Sequence, residues 1–211
     1  MSRFHDEFFR QKGPKHDKLM VKALGKAGIE KVFGGRPSYS KDVPVAAKAK
    51  IYENQWNHEH VLCWSLEIDE LPDWVREDIE KNGIEIPIEV KINEKFDYET
   101  EVICKNGAFI VGYADLLITF TSEKWLTGCL EEYKKNLLYE RLSKHVLVEI
   151  KPELDDVGAV LRQLKTYETI LGRYYGDLAK VIVTYSCPDV EVFEYLAHEG
   201  IRIVVFEEGT S

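Results

Sequence analysis

Three charged residues stand where strands should be apolar. Asp115 lies within Gly112-Tyr113-Ala114-Asp115-Leu116-Leu117-Ile118, while Glu149 and Lys151 close the run Val146-Leu147-Val148-Glu149-Ile150-Lys151. A carboxylate in such a strand is costly when buried without a partner. Strand residues two apart project to one side, so Glu149 and Lys151 point together while Ile150 faces the core. Two acids and an ammonium converging at a sheet edge make a hard-oxygen site suited to Mg2+ or Mn2+. A divalent ion there can activate water, orient a phosphate and offset charge on a leaving oxygen. The lysine can stabilise charge building on the phosphate or help position water. The plainer alternative is an exposed edge or an ordinary ion pair with Lys151. The apolar flanks weigh against it.

Other candidates surround this set. Gln163 and Tyr167 are four apart in a helical stretch and share a face. Gln163 is placed to hydrogen-bond the attacking water or Lys151, and Tyr167 to hold a phosphate or the lysine, since a phenol both donates and accepts. Arg162 and Lys165 lie on other faces as candidate phosphate contacts. Arg173, Tyr174 and Tyr175 could stack on unpaired bases, although core packing at a helix end is the better account. His58-Glu59-His60 falls in a segment of helical pattern, where alternate histidines do not converge on one ion. Cys63, Cys104, Cys129 and Cys187 are 41, 25 and 58 residues apart with no CxxC, so they are expected to be small buried hydrophobes, not zinc or iron–sulfur ligands.

The elements that must position these residues follow from periodicity. Leu19, Met20, Ala23, Leu24 and Ala27 predict a helix over 16–28 with lysines opposite, stopped by Gly34-Gly35. A helical pattern runs from about Val45 to Leu66, and a short helix follows Pro72 and ends at Gly83. Residues 84–92 alternate as a strand, and 100–105 with 108–120 predict a hairpin about Asn106-Gly107 with a type I′ turn. Leu126, Leu130, Tyr133, Leu137 and Leu138 predict an amphipathic helix over 123–144. Beyond it come strand 145–151, helix 156–174, strand 180–186, helix 189–198 and strand 201–207. That closing β-α-β-α-β with apolar strands predicts an α/β fold whose central sheet is mixed.

Composition bounds the function classes. The 211 residues are 45% hydrophobic and 31% charged, which suits a globular protein with a sizeable core. No apolar run approaches the ~18–20 residues of a membrane span, and the first residues lack a secretory apolar core. The expected location is the cytoplasm, the host's if the source is viral. Net charge is −9, yet residues 1–50 carry +7, leaving −16 for the remainder. This predicts a basic N-terminal helical arm over 1–45 on an acidic body over 46–211. Glutamine occurs only at 11, 55 and 163 among abundant lysine and glutamate, a bias resembling thermophile composition.

Taken in order, Asp115, Glu149-x-Lys151 on the next strand and Gln163-x-x-x-Tyr167 on the next helix resemble the PD-(D/E)XK nuclease superfamily. The QxxxY portion resembles its RecB-like branch, and the match spans roughly residues 84–207. The resemblance implies a restriction-endonuclease-like core and metal-dependent cleavage of DNA. It also implies that Asp115, Glu149 and the Ile150 carbonyl hold Mg2+ or Mn2+, that Lys151 is catalytic, and that Gln163 and Tyr167 support the site. Ala114 replaces the family's proline, and the 33 residues between Asp115 and Glu149 exceed a simple hairpin. The family's further acid from an upstream helix could be Glu53, Glu59 or Glu67. Nucleases that cut both strands commonly pair symmetrically, so a homodimer is expected. The alternative from another class is a non-cutting nucleic-acid-binding or regulatory protein on the same fold.

Overall fold

The structure, a computed structural model, describes residues 13–35, 48–53, 58–66, 73–82, 88–128, 136–186 and 188–208. Its elements are α1 (Pro14–Leu24), α2 (Lys26–Phe33), β1 (Lys48–Glu53), β2 (His58–Leu66), α3 (Asp73–Asn82), β3 (Ile88–Asn106), β4 (Phe109–Gly128), β5 (Asn136–Ile150), α4 (Val157–Tyr175), β6 (Leu178–Thr184), α5 (Val190–His198) and β7 (Ile201–Val205). The fold is α/β with a mixed sheet whose strands neighbour one another in chain order. β1, β2 and β3 pair antiparallel, and β5, β6 and β7 pair parallel. Among the described residues no helix is long and apolar enough to cross a membrane.

Two compact units divide the chain. The first contains residues 1–37, 98–118 and 145–211, the second 38–97 and 119–144. The first unit holds the parallel strands and α1, α2, α4 and α5. Its core joins Val102, Ala114 and Leu117 of the hairpin to Leu147, Ile182 and Ile203 of the parallel strands. α4 presents Val160, Leu161, Leu164, Tyr167, Ile170 and Leu171 to that core, a three-four spacing that places them on one stripe. Asp156 caps α4 by accepting from the Ala159 N–H at 2.8 Å, and Asp189 caps α5 from Val192 at 2.9 Å. α1 is built into this unit, with His16, Leu19 and Ala23 buried. Its Lys22 Nζ donates to the Glu207 carbonyl at 2.6 Å.

Several expected elements are corrected. The helix expected over 45–66 is the β1–β2 hairpin, with Lys48 opposite Cys63 and Glu53 opposite His58. Its apolar residues fit a helical stripe locally, but pairing distant in sequence decides between the two. His58, Glu59 and His60 therefore lie on a strand. Inside the segment 123–144, expected as an inserted helix, β4 runs on to Gly128 and β5 begins at Asn136. Leu130 and Tyr133 of the expected stripe lie outside the described residues. The helix of 16–28 is two, parted at Gly25, whose backbone is extended. Gly28 packs this corner, because a Cβ there would fall onto the carbonyls of Lys22 and Ala23. The β3–β4 turn centres on Gly107-Ala108, one residue beyond expectation. Its positive φ of 61° falls on the first central residue, as type II′ turns require, not on both as in type I′.

Candidate functional site

All five side chains singled out in the sequence belong to the first unit. β4 brings Asp115 beside the last turn of pleat in β5, where its Oδ2 accepts the Ile150 N–H at 2.8 Å. Asp115 is 2% exposed and Glu149 1%. Both line one cavity of about 620 Å³, together with Tyr113, Ile150, Lys151, Gln163 and the start of α1 from Gly13 to His16. β5 ends at Ile150, so Lys151 leaves the sheet just as it reaches the cavity. Its side chain remains 30% exposed.

Hydrogen bonding treats the two oxygens of Glu149 unequally. Oε1 accepts from Lys151 Nζ at 2.8 Å and from Gln163 Nε2 at 2.7 Å. Oε2 is buried and receives no donor. Burial and the charge of Asp115 push the Glu149 carboxyl up to about 7, against the downward pull of Lys151. Two buried carboxylates lining one cavity are costly to keep ionised together, a cost that a shared proton or a cation would lower. Glu149 Oε2 and Asp115 supply oxygen of the kind hard divalent ions take, so the donor set fits Mg2+ or Mn2+. The fit is partial as regards side chains. Among the described residues no group of three or more His, Cys, Asp or Glu is arranged to hold a metal ion.

Gln163 and Tyr167 come together as their spacing implies. Gln163 Nε2 donates to Glu149 and also to the Tyr167 hydroxyl at 3.1 Å, which commits both amide hydrogens. A carboxylate only accepts, so the Gln163 amide must point its nitrogen inward, leaving its carbonyl for the cavity. Tyr167 is 6% exposed and belongs to the core, not to the cavity lining. Burial pushes its phenol up to about 12. It touches neither Lys151 nor the cavity mouth. Lys165 is paired with Glu199 at 2.6 Å. Tyr175 packs against His145 with the rings tilted at 57° and their centres 5.1 Å apart, while Tyr174 is exposed. Cys104 is buried, as expected of a small hydrophobe, and burial pushes its thiol up to about 11.

One residue escaped the sequence reading. His16, on the first turn of α1, is buried with Nε2 3.3 Å from Asp115 Oδ1. That nitrogen makes no hydrogen bond. The signal was slight, because a lone histidine amid lysines reads as surface; only its three- and seven-residue spacing to Leu19 and Ala23 marks the buried face. Of the upstream acids considered, Glu53 and Glu59 belong to the second unit and Glu67 lies outside the described residues. The upstream element lining this cavity is α1, and it contributes a histidine and Lys15.

No protein-family model and no curated protein sequence matches the chain. Two solved structures are distantly similar. EndoMS in its complex with dsDNA is 18% identical over 80% of this chain and 68% of that one, at a TM-score of 0.34. A repair endonuclease from Pyrococcus abyssi is 14% identical over 71% of this chain and 100% of that one, at a TM-score of 0.27.

Proposed function

We propose that this chain is a metal-dependent nuclease hydrolysing phosphodiester bonds in DNA, a member of the RecB-like branch of the PD-(D/E)XK nucleases. The observation that carries this is the meeting, in one cavity, of two buried carboxylates from β4 and β5, one keeping an oxygen without a donor, with a partly exposed lysine beside them. Asp115, Glu149 and the Ile150 carbonyl would hold Mg2+ or Mn2+, which supplies Lewis acidity and lowers the pKa of water. DNA as the substrate comes from the family resemblance.

The chain's own groups divide the remaining work. Lys151 Nζ, at the open side of Glu149, meets charge developing on a phosphoryl oxygen. The Gln163 carbonyl, the free end of an amide whose nitrogen is doubly engaged, accepts a hydrogen from the attacking water and orients it. The Ile150 N–H holds Asp115 Oδ2 in place, so Asp115 presents Oδ1 toward His16 and the cavity.

Cleavage of a labelled duplex with Mg2+ or Mn2+, stopped by chelator, is the first expected result. Asp115→Asn keeps an acceptor for the Ile150 N–H and is expected to fold like the parent while losing cleavage to background. Asp115→Ala is expected to lose cleavage and also about 1–3 kcal/mol of stability, because a buried N–H loses its acceptor. Undiminished cleavage by Asp115→Asn, or by the parent in excess chelator, overturns the proposal. Calorimetric titration with Mn2+ separates a nuclease from a binding-only protein, which has no need of the ion.

The lysines of α1 offer a second test. Deleting the arm would remove buried Leu19 and Ala23 along with His16, so a point change is the better probe. Lys18 lines a depression along α1 that shares Pro14 and Lys15 with the carboxylate cavity. If it neutralises a phosphate, Lys18→Ala should flatten the salt slope of DNA binding by about 0.7–0.9. An unchanged slope in fluorescence anisotropy would remove Lys18 from the interface.

A further inference from the structure

Gly112 stands three residues before Asp115 on β4, and its missing side chain is filled by Tyr167. A Cβ built at Gly112 would fall on the Tyr167 hydroxyl, inside any real contact distance, and 3.0 Å from ring atoms Cε1 and Cζ. The end of a long side chain can usually swing away from such a clash. Tyr167 has little room to do so, because its ring is buried in the core that joins the hairpin to α4 and the parallel strands. Its hydroxyl is also the acceptor for Gln163 Nε2, and the same nitrogen holds Glu149 Oε1.

We infer that Gly112 is a positioning residue: by letting the Tyr167 phenol lie against β4, it sets Gln163, which turns Glu149 so that one oxygen is held and the other faces Asp115. The line from Gly112 through Tyr167 and Gln163 to Glu149 crosses from β4 to α4 to β5. It therefore ties the strand that carries Asp115 to the orientation of the carboxylate opposite. Tyr167 acts through Gln163 and does not touch substrate. The clearest contrast with a purely structural glycine is that Gly112 has an ordinary negative φ, so alanine there is unstrained in backbone and objectionable only for what its Cβ meets.

Glutamine occurs at only three positions in the chain, so the Gln163 side-chain amide can be followed individually by NMR. Gly112→Ala should accelerate exchange of the Gln163 amide hydrogens at least about tenfold, lower kcat by about tenfold or more with KM little changed, and weaken Mn2+ binding. On a Tyr167→Phe background, which already lacks the hydroxyl that Gln163 donates to, the same change should add little to Gln163 exchange. The last two readouts rest on the nuclease reading; amide exchange does not. A parent protein that neither binds Mn2+ nor cleaves would sink that reading while exchange still decides the role of Gly112. Normal Gln163 exchange in Gly112→Ala, even with a lowered Tm, overturns the inference. So does an equally large effect of Gly112→Ala with Phe at 167, since the effect would then not pass through the phenol.

Discussion

Glu149→Gln is expected to abolish cleavage, by about 10³-fold or more, and at the same time to make the metal-free protein more stable above pH 7. The carboxyl of Glu149 ordinarily titrates near 4.5 and is raised in the fold to about 7, chiefly by burial and secondarily by the charge of Asp115. Between those two values the folded chain keeps a proton that the unfolded chain has released. Stability therefore falls as pH rises through the window from about 4.5 to about 7, and levels off above it. The loss amounts to about 3–4 kcal/mol at most, because one pKa unit corresponds to about 1.4 kcal/mol. A carboxamide does not ionise and can offer an N–H to Asp115, so the variant should lack this decline. Thermal melts in chelator should show parent and variant close together near pH 4.5. They should separate by several degrees at pH 8, with the variant higher. Adding Mg2+ or Mn2+ at pH 8 should raise the parent's Tm and leave the variant's unchanged. A variant that is less stable than the parent at pH 8 would mean that the pair is no electrostatic burden, and the case for a cation between these carboxylates would go with it.

Lys151→Met should separate holding the ion from using it. Lys151 is a part-exposed ammonium 2.8 Å from Glu149 Oε1, so it competes for the charge a cation needs and also lowers the pH at which Glu149 ionises. Methionine keeps most of the stem's packing without the charge. Cleavage under single-turnover conditions should drop about 10²–10³-fold, the range found when one donor to a developing oxyanion is removed. Mn2+ affinity above pH 8 should hold or tighten. If kcat survives the change, the lysine is only an ion-pair partner; if Mn2+ binding collapses with it, Lys151 organises the site and does not act in the chemistry.

These two expectations oppose each other in a useful way. Turning the Glu149 carboxylate into its amide should improve the fold and end the activity, whereas removing the lysine should end the activity and spare the ion. A site shaped by packing alone has no reason to show either pattern.

Local chemistry made much of this legible. The alternation that sends Glu149 and Lys151 to one side needs only the two-residue period of a strand, and both reach the same cavity. The four-residue spacing of Gln163 and Tyr167 brought them to 3.1 Å of one another on α4. Helices α4 and α5 begin directly after Asp156 and Asp189, the first residues of the helical stretches expected over 156–174 and 189–198. Each of these features depends on residues within one or two turns of each other.

Pairing across long stretches of chain was not. The segments 45–66 and 123–144 carry apolar spacings that satisfy a helix or a strand, and only ladder partners such as Lys48 with Cys63 decide for β1 and β2. Tertiary packing alone brought His16, nearly a hundred residues upstream, to 3.3 Å from Asp115. It also turned Tyr167 inward against Gly112. The reason is physical: backbone periodicity is a short-range property of each segment, while burial, and with it the raised proton affinity of Glu149, belongs to the assembled core.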